Sequence, residues 1–187
     1  MTNDRDNLKA MALQRKLPDA IKLGSAESEW IQDALLLCSR MEDDTLLRLR
    51  EREKSKKMVT DSSGAEVKLD DLVWAVDYKQ RILTESLGID PMFENHSHIR
   101  FAELVPKKIL PYHLDSPWTY RFIIMLYGSH VFETELGNRY EMSSGDIYYV
   151  NGCYKHRIIN DGDVTRVALL GNFEINDTTT ELLRTRS

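Results

Sequence analysis

Residues 145–163 read Gly-Asp-Ile-Tyr-Tyr-Val-Asn-Gly-Cys-Tyr-Lys-His-Arg-Ile-Ile-Asn-Asp-Gly-Asp. Asp146 to Val150 is short, aromatic and β-branched, which suits a strand. Asn151-Gly152 lets the chain turn, and His156 to Asn160 reads as a second strand. Asn160-Asp161-Gly162-Asp163 is a strong turn signal, after which Val164 to Leu170 returns. Toward the N-terminus the rhythm continues. Val131 to Met142 looks like a hairpin turning at Gly137-Asn138, preceded by Tyr120 to Leu126, Leu110 to Asp115 and Ile99 to Val105. Seven or eight short strands with regular turns indicate a sandwich or barrel.

Before residue 95 the patterns are helical. In Glu27 to Met41 the residues Trp30, Ile31, Ala34, Leu35, Cys38 and Met41 follow helix spacing, with Ser25 or Ser28 as a cap. Leu69 to Leu87 carries Leu69, Leu72, Val73, Val76, Leu83 and Leu87 on one stripe, with Gly88 after its end and Pro91 beyond. Asp4 to Leu17 is a weaker amphipathic helix. Met58 to Val67 suggests a small hairpin around Asp61-Ser62-Ser63-Gly64. The expected organisation is a helical region over 1–95, a β-core over 96–175 and a C-terminal tail over 176–187.

The chain has 187 residues, 42% hydrophobic and 29% charged, which is ordinary for a globular protein. At this size folding buries about 70% of the unfolded surface, enough to do without disulfides. The two cysteines, Cys38 and Cys153, match no zinc pattern and suit a reducing compartment. Met1 to Asp6 is too polar for a signal peptide, and Ala34 to Cys38 is far short of a membrane span. A cytoplasmic protein with no membrane role is the expectation. A net charge of −5 disfavours general nucleic-acid binding. Arg48 to Lys57 concentrates basic residues, but no aromatics interleave with them, so a solvated segment is the simpler reading.

Chemistry concentrates in Leu110-Pro111-Tyr112-His113-Leu114-Asp115. On a strand, positions i and i+2 share a face, so His113 and Asp115 project together. One imidazole and one carboxylate make two thirds of a facial triad, which a second histidine completes while leaving positions open; iron(II) suits that set. His156, 41 residues after Asp115, is the best third ligand. A bidentate organic acid on the metal then needs a cation for its far carboxylate. Arg166 follows His156 by ten residues, and its planar fork fits a carboxylate. If β-strands 156–160 and 164–170 form a hairpin, a loop of three residues, Asp161 to Asp163, pairs His156 with Ala168 and Ile158 with Arg166. A two-residue turn would put Arg166 on the wrong face. Arg121 interrupts an apolar strand on the face of Ile123 and Met125, where it needs an anionic partner.

Together these residues resemble the aspartyl/asparaginyl β-hydroxylase family, which includes proline cis-4-hydroxylases. The matching features are Glu103-Leu104-Val105-Pro106 leading into His113-Leu114-Asp115, then Arg121, Gly145-Asp146, His156 and Arg166. They span Phe101 to Phe173 and leave the N-terminal half uncovered. The resemblance implies an α+β fold built on a double-stranded β-helix (jelly roll, cupin-like) with the N-terminal helices packed on it. It also implies Fe(II)- and 2-oxoglutarate-dependent dioxygenase chemistry with O2, hydroxylating the side chain of an amino acid or peptide of Asp, Asn or Pro type. By position Arg121 matches an arginine that assists in binding 2-oxoglutarate. Two positions on, where relatives can carry a histidine, this chain has Ile123.

Two other readings stand beside it. Gly145, His156 and Asn160 resemble the second cupin motif, which suits a metal-dependent isomerase or a small-molecule sensor. Alternatively the β-fold is an interaction scaffold with the 48–57 segment as its contact. The plainer roles are a turn cap at Ser116-Pro117 for Asp115, an ion pair with Asp146 for Arg166 and a surface position for Arg121. Trp118, Tyr112 and Tyr127 line a pocket or pack in the core. His96 and His98 suit a surface role, and His130 falls at a strand end with no function assigned.

Overall fold

The computed structural model describes residues 4–41, 59–60, 66–67, 78–82, 97–115, 117–173 and 175–186. Eight strands form the framework: β5 (Ser97–Leu104), β6 (Lys108–His113), β7 (Tyr120–Tyr127), β8 (Ser129–Thr134), β9 (Arg139–Ser143), β10 (Asp146–Val150), β11 (His156–Asn160) and β12 (Arg166–Phe173). They divide between two antiparallel sheets. One has the order β10-β7-β12-β5, the other β6-β11-β8-β9. The chain crosses repeatedly from one sheet to the other, and β8 and β9 form the hairpin expected at Gly137, whose φ is 85°. This strand order is that of a double-stranded β-helix, the cupin-like jelly roll expected from sequence.

Two strands from the N-terminal half widen the first sheet. β1 (Ala20–Ser25) pairs with β10 on one edge and β4 (Tyr78–Ile82) pairs with β5 on the other. Both correct the sequence reading. Residues 78–82 lie inside the helix expected over 69–87 but form a strand, because they continue an open edge of the sheet. The rest of that expected helix, with Gly88 and Pro91, the basic run 48–57 and His96 all lie outside the described residues. β2 (Val59–Thr60) and β3 (Glu66–Val67) pair as the small hairpin foreseen there.

Helix α1 (Asp4–Gln14), α2 (Ser28–Arg40) and α3 (Asp177–Thr185) complete the description. α2 falls where its apolar spacing placed it, but Glu27 occupies the cap position instead of either serine, and no side chain caps it. α3 arises in what was read as a tail; Asn176 and Thr179 exchange hydrogen bonds in a capping box that starts it. No helix among the described residues is long and apolar enough to cross a membrane. Cys38 and Cys153 form no disulfide among the described residues.

Alternation sorts the first sheet into two faces. Phe101, Tyr120, Phe122, Ile124, Leu126, Tyr149, Leu169 and Phe173 face outward and pack with Leu17, Ala34, Cys38 and Leu183 from the N- and C-terminal segments. Ala102, Leu104, Ile123, Met125, Val150, Ala168 and Leu170 face inward, where they meet Phe132, Met142 and Ile158 of the second sheet. A barrel with a small-residue stripe, Ala102 and Ala168, therefore lies between the sheets.

The β11–β12 connection overturns the expected hairpin. β11 belongs to the second sheet between β6 and β8, and β12 to the first between β5 and β7. His156 pairs with His113 and Thr134, and Arg166 pairs with Leu104. The Asn160 side chain shapes the crossover: its amide donates to the carbonyls of Leu104, Val105 and Val164 at 2.8–3.1 Å. That ties the chain across the sheets instead of back along one.

Candidate metal centre

His113, Asp115 and His156 come together at one end of the barrel, with their ligand atoms all within 4.8 Å of one another. His113 is the last residue of β6 and His156 the first of β11, and the register places them opposite each other. Their rings stand 4.5 Å apart at 61°. Asp115 lies two residues beyond the end of β6, in the loop to β7, and not on the strand as the i, i+2 reading had it. The loop nevertheless returns its carboxylate to the histidines. His156 is buried, whereas His113 and Asp115 are partly exposed, so one side of the cluster is open.

Hydrogen bonds orient both imidazoles. His113 Nδ1 lies 2.7 Å from the Pro111 carbonyl and His156 Nδ1 lies 3.1 Å from the Tyr154 carbonyl. A carbonyl only accepts, so each Nδ1 carries a proton and each Nε2 of a neutral ring presents a lone pair to the cluster. Phe132 stacks on His156 at 4.8 Å and 27°, holding the ring in plane. Burial, reinforced by His156 and opposed by Asp115, lowers the His113 imidazole to about 4, which leaves it neutral near pH 7.

Asp115 divides its two oxygens. Oδ1 accepts from Arg121 Nη1 at 2.8 Å, and Oδ2 lies 3.4 Å from His156 Nε2. Burial works against ionisation, but the Arg121 guanidinium and the two imidazoles outweigh it and hold the carboxyl far below the usual carboxylate range. Oδ2 and a lone pair on Nε2 are both acceptors, and a shared cation, metal ion or proton, would satisfy both. Bonds of about 2.0–2.2 Å to one ion keep any two ligand atoms within about 4.4 Å, which small side-chain shifts would reach. Two imidazole nitrogens and one carboxylate oxygen, with the rings oriented by carbonyls, fit a divalent transition metal.

Arg121 is thus placed differently from the sequence expectation. It does face inward with Ile123 and Met125, but the anion it meets among the described residues is Asp115. Arg166 is 2% exposed inside the barrel, and its Nη1 donates to the Ala102 carbonyl at 3.1 Å. Asp146, the alternative partner for Arg166, instead pairs with Lys22. Trp118 is 48% and Tyr127 50% exposed, so neither is a core residue. Tyr112 donates to Glu133 at 2.7 Å, away from the cluster. The His98 side chain lies outside the described residues.

Three residues that matter here escaped sequence reasoning. Gln14 and Asp19 anchor the loops around the cluster. Gln14 donates to the carbonyls of Pro117 and Thr119, in the loop that carries Asp115. Asp19 accepts from Thr134, Asn138 and Tyr140. No motif announces such long-range contacts. The third, His130, is 2% exposed and faces the barrel interior. Its spacing was the available signal: His130, Phe132 and Thr134 alternate on one strand face.

No family model and no curated protein sequence matches this chain. Solved structures do. A cupin 2 conserved barrel domain protein from Salinispora arenicola is 15% identical, with 59% of this chain and 85% of that one covered at a TM-score of 0.40. A predicted oxalate decarboxylase from Thermotoga maritima is 17% identical over 52% of this chain and 81% of that one, TM-score 0.42. A cupin-superfamily sugar phosphate isomerase from Silicibacter pomeroyi is 16% identical over 54% and 61%, TM-score 0.41. Likeness at this level carries nothing about activity. The strand order itself defines the class: a cupin-like double-stranded β-helix bearing a cluster of two histidines and an aspartate able to hold a metal.

Proposed function

We propose that this chain is an Fe(II)- and 2-oxoglutarate-dependent dioxygenase that hydroxylates an amino-acid side chain, in a free amino acid or a peptide. The observation that carries the reading is the convergence of His113, Asp115 and His156 at the open end of a barrel whose interior buries Arg166. Two histidines and one carboxylate suit Fe(II) and leave coordination positions for a bidentate acid and O2. When bound, iron and 2-oxoglutarate would supply the oxidising chemistry: the acid loses CO2 to become succinate, and a substrate C–H becomes C–OH.

The chain's residues prepare for that chemistry. His113 and His156 offer Nε2 because their Nδ1 protons are engaged. Arg121 holds Oδ1 of Asp115, so Oδ2 would be left to hold a metal. Arg166, in a dry interior, would pair with the far carboxylate of 2-oxoglutarate, where charge-assisted bidentate bonds are strongest. Leu114 and Trp118, both exposed on the loop that carries Asp115, would meet a substrate at the open end. An Asp-, Asn- or Pro-like substrate is favoured by the motif resemblance.

Anaerobic addition of Fe(II) and 2-oxoglutarate should produce a weak visible charge-transfer band, lost in His113→Ala and His156→Ala. Succinate should form in air with a suitable amino acid or peptide. No band and no succinate, with zinc or nickel retained and no effect of 2-oxoglutarate on melting temperature, would favour a cupin-type isomerase or sensor instead.

A further inference from the structure

His130 is the second residue of β8, is 2% exposed, and has no hydrogen-bond partner for either ring nitrogen among the described residues. Native proteins seldom leave a buried imidazole so, and such a group calls for an explanation. Its position is defined by the strand. His130 alternates with Phe132 and Thr134 and pairs in register with Met142, which places it inside the barrel. Phe132 stacks on His156, so His130 lies about 7 Å deeper, one strand repeat further from the metal cluster.

Arg166 starts β12 beside the turn that leads into β8. The β7–β8 turn that sets His130 rests on its backbone: a Cβ on Gly128 would lie 3.3 Å from the Arg166 Cα. Burial, aided by the Arg166 charge, holds the His130 imidazole well below its ordinary value, so the ring is neutral with one N–H to give. A guanidinium and an imidazole N–H, both buried inside the barrel, are the donors for an anion, and for nothing apolar.

We propose that His130 and Arg166 form one carboxylate-binding pair, with His130 donating to the far carboxylate of 2-oxoglutarate and so selecting 2-oxo diacids over 2-oxo monoacids. This rests on the oxygenase reading. The test titrates the Fe(II)-loaded full chain, without oxygen, with 2-oxoglutarate and with 2-oxopentanoate, which has the same carbon chain but lacks the far carboxylate. His130→Leu should weaken 2-oxoglutarate binding about tenfold or more, with 2-oxopentanoate and Fe(II) affinities unchanged within about twofold. His130→Gln, which keeps an N–H donor, should recover most of the loss. Unchanged 2-oxoglutarate affinity in His130→Leu, or equal weakening of both acids, would overturn the pair and leave the oxygenase reading standing. A wild type that binds 2-oxoglutarate no more tightly than 2-oxopentanoate would remove the Arg166 clamp and the pair together. Should His130→Leu not fold, His130→Phe, closest in shape, takes its place with the same outcomes.

Discussion

Asp115 has one oxygen engaged by Arg121 and one turned toward His156. That division leaves one carboxylate oxygen for an ion, and in the proposed metal centre Arg121 would be a positioning residue. Partners that orient metal ligands are worth about 10–100-fold in affinity. Arg121→Leu should therefore weaken Fe(II) binding by about that factor while the protein stays folded, as read by anaerobic metal titration and circular dichroism. Full affinity in the variant would show that Asp115 orients without it. His130 sets a pH dependence at the same scale. Unfolded, a histidine protonates near pH 6.5, whereas the buried ring resists. Below about pH 6.5 the unfolded chain then binds more protons than the folded one, so stability falls as pH falls. Metal-free wild type should lose melting temperature more steeply from about pH 7 to about pH 5 than His130→Gln does; parallel curves would discount the buried ring.

At the scale of elements, β7 and β12 meet at a point with no room to spare. Gly171 lies opposite Phe122, and a Cβ there would fall 2.3 Å from the Phe122 ring. Gly171→Ala must displace that ring from the outer core, at a cost of about 1–3 kcal/mol. Chemical denaturation would measure it, and a neutral result would mean the ring moves freely. The β11–β12 crossover shows where local pattern fails. Period-two alternation correctly set Asp146–Val150 and His156–Asn160, because it depends only on each strand's own residues. The parity of the following loop could not be used the same way, since Arg166 and His156 belong to opposite sheets. Both still face inward. Alternation orients each residue on its own strand, and the barrel encloses both inner faces.

Across the whole molecule, the N-terminal segment secures the open end of the barrel. Gln14 is fully buried and holds Pro117 and Thr119, while Asn151 donates back to the Gln14 carbonyl at 2.8 Å. Asp19 fastens the β8–β9 hairpin. Burial pushes the Asp19 carboxyl up, but bonds from Thr134, Tyr140 and Asn138 together hold it below its ordinary value. Gln14→Ala leaves two partly buried carbonyls, in the loop that carries Asp115, without their donor. It should destabilise the fold by about 1–3 kcal/mol and also weaken metal binding. A loss of stability with metal affinity intact would separate the clamp from the site.

The His113–Asp115 pair, the strand rhythm after residue 95 and α2 were legible because each is written in short-range spacing: a His–x–Asp pair, alternation and a 3.6-residue stripe. β1, β4 and α3 were not legible. β1 and β4 are held by edges of a sheet whose other strands lie far along the chain, and α3 by a capping box in a segment read as tail. The sequence alone therefore determined which side chains are candidates for the chemistry, His113, Asp115, His156 and Arg166, because residue type and local period are properties of the chain itself. Tertiary structure decided which of them meet. It gave Arg121 to Asp115, set Arg166 deep in the barrel and buried His130 near it, because those neighbours arise only when strands distant in sequence alternate between two facing sheets.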